Sequence, residues 1–374
     1  MDRYLKAHII SDLDKKMVFI GGPRQVGKTT LSLDILRADE SHPAYLNWDA
    51  PGVASSLMKG ELPSSENLLI FDEIHKYENW RNLLKGIYDT HKSKTKFIIT
   101  GSARLDYYHH GGDSLQGRYF YFRLHPLSAP ELNLGADDLQ RLLDFGGFPE
   151  PYFENSSIFW RRWQTERNKR VVQEDLLTLE EVVEVKKLDL LVKLMPGRVG
   201  STLSIQSLSE DLSASHKTVE RWMTIFENLY YVYRIPPYGP PKLRALKKAQ
   251  KLYLWDWSLC EESGPKFENF VASHLLKYCH YKEDTTGTAM ELRFLKDHDG
   301  REIDFVVLED GNPVFAVEAK TGEKAVSPHI NYFSERTRIP KFYQVHLGTR
   351  DVENQSKRYR ILPFLTFCKE VGIP

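Results

Sequence analysis

Residues 21–30 read GGPRQVGKTT, and no other stretch constrains the fold as tightly. The spacing is G-x-x-x-x-G-K-[ST], carried by Gly22, Gly27, Lys28 and Thr29. An apolar run, MVFI at 17–20, leads into it, and a helix-compatible run, TTLSLDILRA, follows. Strand, glycine-rich loop and helix in that order make a cradle for phosphate. Loop N–H groups turn toward the anion, and the helix N-terminus adds a favourable dipole. The candidate contacts are Gly22, Pro23, Arg24, Gln25, Val26, Gly27, Lys28, Thr29 and Thr30. Lys28 would reach the β- and γ-phosphates of ATP, and Thr29 would hold Mg2+.

A second motif, LLIFDEIHK at 68–76, ends an apolar strand in adjacent acids, Asp72 and Glu73. Asp72 is expected to support the magnesium and Glu73 to orient and polarise the attacking water. Phosphoryl transfer needs both, because it depends on positioning and charge stabilisation. Paired acids after a strand can also cap the next helix, but the upstream loop favours the catalytic pairing. The 374 residues suggest two or three domains. Basic and acidic residues balance at 51 each, so only local asymmetry can point to nucleic acid. Cys260, Cys279 and Cys368 are far apart and form no C-x-x-C pair, which fits a reducing, cytoplasmic compartment. The start, MDRYLKAHII, does not read as a signal peptide, and no run approaches the ~18 apolar residues of a membrane span.

Residues 1–150 alternate strands and helices, with strands expected at MVFI, PAYLNWD (43–49), NLLIFD, TKFIITGSA (95–103) and RYFYFRL (118–124). The class is α/β, a parallel sheet covered on both faces that binds ligands beyond its carboxyl ends. If the TKFIIT strand lies between the loop strand and the Asp72 strand, Thr100 or Ser102 would sense the γ-phosphate, with Thr100 preferred. Both residues also suit capping of the turn that follows.

These motifs recur in a fixed order with LQGRYFYFRLHPLS (115–128), FGGFPEPY (145–152), GPKFENFVASHLL (264–276), and GREIDFVV followed by FAVEAKTG. In that order they resemble a prokaryotic ATPase of the AAA+ superfamily with a C-terminal restriction-endonuclease-like domain of unknown function. The resemblance covers nearly the whole chain and implies an arginine that completes a neighbouring subunit's ATP site in a homo-oligomer. Arg118 is the first candidate, with Arg104 and Arg24 behind it. Arg118 is otherwise a surface base beside an edge strand.

Residues 151–195 read as a helical lid or connector, closed by the Pro196-Gly197 break. Residues 196–260 look like a winged helix-turn-helix. Leu208 and Leu212 line one helix, SAS at 213–215 makes the turn, and Val219, Trp222 and Phe226 line the second. From 216 to 251 there are eight bases (Lys217, Lys242, Lys247, Lys248, Lys251, Arg221, Arg234 and Arg244) against two acids, Glu220 and Glu227. That asymmetry suits DNA, with His216, Lys217 and Arg221 near the start of the recognition helix. It equally suits packing on protein, with Glu180, Glu181 and Glu184 as a local acidic partner.

Residues 261–374 read as a helix followed by a hairpin-rich mixed sheet, restriction-endonuclease-like in arrangement. Glu318 and Lys320 are two apart on one strand and share a face. Asp304 lies on the preceding strand, giving D…E-x-K. Chemistry there would need the carboxylates Asp304 and Glu318 to hold Mg2+ or Mn2+, with Glu268 able to join the metal shell and Lys320 able to stabilise the transferring phosphoryl group. Opposite charges paired on a sheet can also be structural. The expectation is Mg-dependent ATP hydrolysis coupled to a DNA-associated activity, with metal-dependent cleavage open. The alternatives are a nucleotide switch that recognises a protein partner and a DNA-binding ATPase without cleavage.

Overall fold

The structure, a computed structural model, describes residues 1–63, 65–101, 115–171, 184–239 and 250–374. It divides into two compact units, Met1–Pro126 and Leu127–Pro374.

The first unit is built on β1 (Met17–Gly21), β2 (Tyr45–Asn47), β3 (Leu68–Asp72), β4 (Lys96–Thr100) and β5 (Tyr119–Arg123). Their order is β2-β3-β4-β1-β5, and every neighbouring pair is parallel. β1 is buried throughout, and β3 and β4 are buried after their first residue. Continuous apolar runs such as MVFIG, LLIFD and KFIIT are what central parallel strands need, because helices cover both faces. The helix Trp80–His91 buries Trp80, Leu84, Ile87 and Tyr88 at i, i+4, i+7 and i+8. These side chains share a core with Phe19, Phe71 and Phe97. The Phe71 and Phe97 rings stack at 6.0 Å, and Tyr88 meets Phe97 edge-on. β4 lies between β1 and β3, so Thr100 stands across from both Ile20 and Asp72.

The second unit begins with the helices Ala136–Phe145, Pro149–Glu154, Ser157–Arg170 and Val185–Leu194. The segment 127–150 belongs to it: Trp257 Nε1 donates to Leu142 O at 2.9 Å, and Ala129 N donates to His274 Nε2 at 3.1 Å. The helices Ile205–Leu212 and His216–Asn228 follow. Ser213 ends the first in the left-handed region at φ 47°, and Ser215 Oγ caps the second by accepting the Thr218 N–H at 3.1 Å. An antiparallel pair, β6 (Val232–Ile235) and β7 (Lys251–Leu254), comes next. Helix, turn, helix and hairpin thus stand in the expected order.

The long helix Ser263–Thr286 leads to a six-stranded mixed sheet. Its strands are β8 (Met290–Lys296), β9 (Glu302–Glu309), β10 (Asn312–Lys320), β11 (Phe342–His346), β12 (Val352–Asn354) and β13 (Tyr359–Pro363). The order is β12-β13-β11-β10-β9-β8. β8, β9 and β10 form an antiparallel meander, and β10, β11 and β13 run parallel. Among the described residues, no helix is long and apolar enough to cross a membrane.

Candidate functional site

The loop after β1 owes its shape to backbone positions that few side chains tolerate. Gly22 has φ +131°, and a Cβ there would stand 2.4 Å from the Leu124 carbonyl oxygen. Gln25 and Gly27 also have positive φ, at 62° and 96°. Left-handed positions of this kind in a loop before a helix are what lets backbone N–H groups face an anion. The helix Lys28–Leu36 starts from Gly27 with no side-chain cap and no acid in its first turn. A helix N-terminus of this kind, with its dipole unopposed by an acid, suits a ligand anion. Lys28 is buried, and its Nζ donates to the carbonyls of Gly22 at 2.9 Å and Pro23 at 2.6 Å. Arg24 is half-buried, Pro23 and Val26 are buried, and Gln25 and Thr30 are exposed. Arg3 donates to Val26 O at 2.8 Å and to His125 O, tying the loop to the chain beyond β5. No motif marks Arg3 in the sequence.

Asp72 is buried at the carboxyl end of β3. Its Oδ2 accepts from Thr29 Oγ1 at 2.9 Å and from the Tyr45 hydroxyl at 2.7 Å, and its Oδ1 accepts from Thr100 Oγ1 at 2.6 Å. Loop and second motif thus converge, and three hydroxyls fix one carboxylate. Tyr45 is the residue that motif spacing misses. Its strand sequence, PAYLNWD, places a hydroxyl one strand over from Asp72, and only the sheet order reveals the contact. Burial, then the hydrogen bond to Asp72, raises the Tyr45 hydroxyl well above its ordinary pKa. Thr100 is fully buried and directed at Asp72.

Glu73 follows in the left-handed region at φ 58°, with its N–H bonded to Thr100 O at 3.0 Å. Burial raises its carboxyl pKa, and the adjacent Asp72 charge raises it further. His75 Nε2 lies 3.4 Å from Glu73 Oε2. Arg118 forms a two-pronged pair with Asp89 of the helix Trp80–His91, at 2.9 and 3.0 Å. Ser102 and Arg104 lie outside the described residues.

In the second unit, Glu268, Asp304, Glu318 and Lys320 come into one neighbourhood. Glu318 Oε1 pairs with Lys320 Nζ at 2.7 Å, while its Oε2 is buried without a hydrogen-bond partner. Asp304 Oδ2 accepts the Ala319 N–H at 2.8 Å. Lys251, from β7, reaches into the same group. Its Nζ is 3.2 Å from Glu268 Oε1 and 3.8 Å from Asp304 Oδ1, and it pairs with Glu302. The Tyr253 hydroxyl donates to Glu268 Oε1 at 2.8 Å. Gly200, at φ +74°, backs the same carboxylate, and a Cβ there would meet Glu268 Oε1 at 2.9 Å. Burial, then the Asp304 charge, pushes Glu318 up to about 8 and Glu268 up to about 7. Burial would lower the Lys251 ammonium, but Glu268, Asp304 and Glu302 outweigh it and raise it.

The two sites differ in their fit to a metal. Thr29 Oγ1 and Asp72 Oδ2 are hard oxygen donors side by side at the mouth of a phosphate cradle, the donor set Mg2+ takes together with phosphate oxygens. At the C-terminal group an ammonium stands among the carboxylates, and Glu268, Asp304 and Glu318 as arranged do not fit a metal ion. Among the described residues, no group of three or more His, Cys, Asp or Glu is gathered as a metal requires.

The basic surface of the helix-turn-helix segment is smaller than its composition suggests. Arg234 is spent inside the fold, pairing with Glu220 at 2.7 Å and Glu227 at 2.6 Å. Lys251 is buried in the carboxylate group. A linear count adds residues on opposite strand faces, so two of the eight bases are internal. His216, Lys217 and Arg221 are exposed on the helix His216–Asn228, and Glu184 is exposed. Lys242, Arg244, Lys247, Lys248, Glu180 and Glu181 lie outside the described residues.

Three family models match in succession: an AAA domain over 14–133, a domain of unknown function (DUF8612) over 136–263, and a domain of unknown function (DUF4143) over 263–367. An uncharacterised protein of Haemophilus influenzae is 26% identical over 322 residues, covering 77% of this chain and 78% of that protein. Uncharacterised proteins of Mycobacterium tuberculosis and Mycobacterium bovis are each 23% identical over 249 residues, covering 65% of this chain. The match spans 55% of each mycobacterial protein, so the chain covers about half of their length. Among solved structures, the Thermotoga maritima RuvB Holliday junction branch migration motor aligns at TM-score 0.30 and 16% identity, over 62% of this chain and 87% of its own. The Aeropyrum pernix ORC1 protein in complex with DNA aligns at TM-score 0.32 and 15% identity, over 73% of this chain and 94% of its own. The chain thus carries an AAA+-like domain, of the type that binds and hydrolyses ATP, followed by distinct helical and mixed-sheet domains that match models of unknown function.

Proposed function

We propose that this chain is a Mg-dependent ATPase whose first unit hydrolyses ATP at the loop after β1 and whose nucleotide state controls the second unit. The carrying observation is the convergence of Thr29 and Asp72 at 2.9 Å, beside Lys28 and at the carboxyl ends of parallel strands. Lys28 would exchange the Gly22 and Pro23 carbonyls for the β- and γ-phosphates. Thr29 and Asp72 would hold Mg2+, which when bound neutralises charge on the β- and γ-oxygens. Glu73 would take the proton of the attacking water, and burial beside the Asp72 charge, by raising its pKa, makes it a stronger base than a free carboxylate. Thr100 would report γ-phosphate occupancy through its two neighbours, Asp72 by hydroxyl and Glu73 by carbonyl. Arg118 would leave Asp89 to complete the site of a second copy.

The test is Mg-ATP hydrolysis by the full chain. Lys28→Ala is expected to abolish it. Glu73→Gln is expected to keep ATP binding and lose turnover by about 10²–10⁴-fold. Wild-type turnover in Glu73→Gln would remove Glu73 from the mechanism.

DNA as the target of the second unit is favoured by the outward-facing His216, Lys217 and Arg221 on the second helix of a winged helix-turn-helix spanning 196–260. DNA that accelerates hydrolysis, with an effect that fades as salt rises, supports it. Hydrolysis unmoved by DNA, with no retention at low salt, assigns that surface to a protein partner. The restriction-endonuclease-like assignment of 261–374 describes architecture. Cleavage is not part of the proposal, because Lys251 stands among the acids that would hold its metal.

A further inference from the structure

The carboxylates that the sequence offers as metal ligands already have a cation beside them. Lys251 opens β7, and its side chain is only 2% exposed. It is therefore built into the fold, unlike a surface lysine folded over an acid. Strand alternation puts Lys251 and Tyr253 on one face, and both reach Glu268. The Lys251 Nζ also lies 5.7 Å from the centre of the Phe294 ring, so an aromatic face borders the ammonium. Two further lysines add positive charge: Lys320 takes Glu318 Oε1, and Lys296 takes the second oxygen of Glu302 at 2.9 Å.

We propose that Lys251 is the resident cation of this carboxylate cluster and closes it to divalent metal. An ammonium satisfies several carboxylates at hydrogen-bond distance, without drawing their oxygens together at the ~2.1 Å that Mg2+ demands. A divalent ion placed among the same oxygens would be repelled by that ammonium across a short, poorly screened distance. The ammonium comes from the β6–β7 hairpin, whereas Glu268 comes from the long helix and Glu302 and Asp304 come from β9. The cluster is thus a charge lock that joins hairpin, helix and sheet. Glu318 Oε2 is buried without a hydrogen-bond partner, whereas its Oε1 is taken by Lys320.

The experiment is Mn2+ binding to the full chain without nucleotide, read by the electron paramagnetic resonance signal of free Mn2+. In the wild type, Asp304→Asn is expected to change nothing. Lys251→Met is expected to raise Mn2+ affinity at least tenfold, and adding Asp304→Asn is expected to cancel the gain. Asp304-dependent Mn2+ binding by the wild type overturns the proposal, as does a folded Lys251→Met chain that gains no binding. If circular dichroism shows Lys251→Met unfolded, Lys251→Met with Glu302→Gln removes the ammonium together with its nearest carboxylate. That variant keeps Glu268, Asp304 and Glu318 intact and has the same two readings.

Discussion

Asp72 shows how much one side chain can be asked to organise. It accepts hydrogen bonds from the hydroxyls of Thr29, Tyr45 and Thr100, which arrive from three different elements. A carboxylate with several donors is held in one orientation. Tyr45 is the informative member, because it belongs to neither motif. Tyr45→Phe removes one donor and leaves the ring packing in place. It is expected to weaken the apparent Mg2+ affinity in ATP hydrolysis by about tenfold, in line with other groups that support metal ligands. A Mg2+ titration of turnover checks this, and an unchanged half-saturation point rejects it. Gly22 and Gly200 make the complementary point. Each admits a close neighbour, Leu124 O or the Glu268 carboxylate, that a methyl group would displace.

At the scale of elements, the second unit carries a pH dependence that the first helix and strands do not suggest. Glu318 and Glu268 hold protons up to about 8 and about 7 in the folded chain, against ~4.3 when unfolded. The folded state therefore binds more protons between those limits, and stability falls as pH rises through them. Their contribution is fully present below about pH 4.3 and is lost by pH values above the folded pKa. Thermal melting of Glu318→Gln is expected to decline less steeply from about pH 5 to pH 9 than that of the wild type. Parallel declines in the two proteins would show that Glu318 is not the source. Legibility in the sequence divides along the same elements. MVFIG, LLIFD and KFIIT announce buried parallel strands, because a strand covered on both faces has no polar side to hide. The SAS turn is equally plain, since Ser213 and Ser215 close one helix and open the next. The hairpin hides its chemistry. Lys251 reads as part of a basic surface, because a linear count carries no information about which strand face meets Glu268.

At the scale of the molecule, the prediction concerns copies of the chain. Arg118 is held by Asp89 within its own unit, and an arginine so placed can serve another subunit only by trading partners. Mixing Lys28→Ala and Arg118→Ala chains is expected to restore part of the hydrolysis that each lacks alone. No recovery across a range of concentrations would mean that each copy hydrolyses ATP with its own residues.

The loop that binds phosphate is also slow to become complete as the chain is made. Its sequence ends by residue 30, yet its shape depends on β5, on the Leu124 carbonyl against Gly22, and on the His125 carbonyl held by Arg3. A nascent chain carries the motif for roughly a hundred further residues of synthesis before the segment that closes the loop exists. Nucleotide therefore has no finished site to bind, and lends no stability, until the ribosome has passed Leu124 and His125.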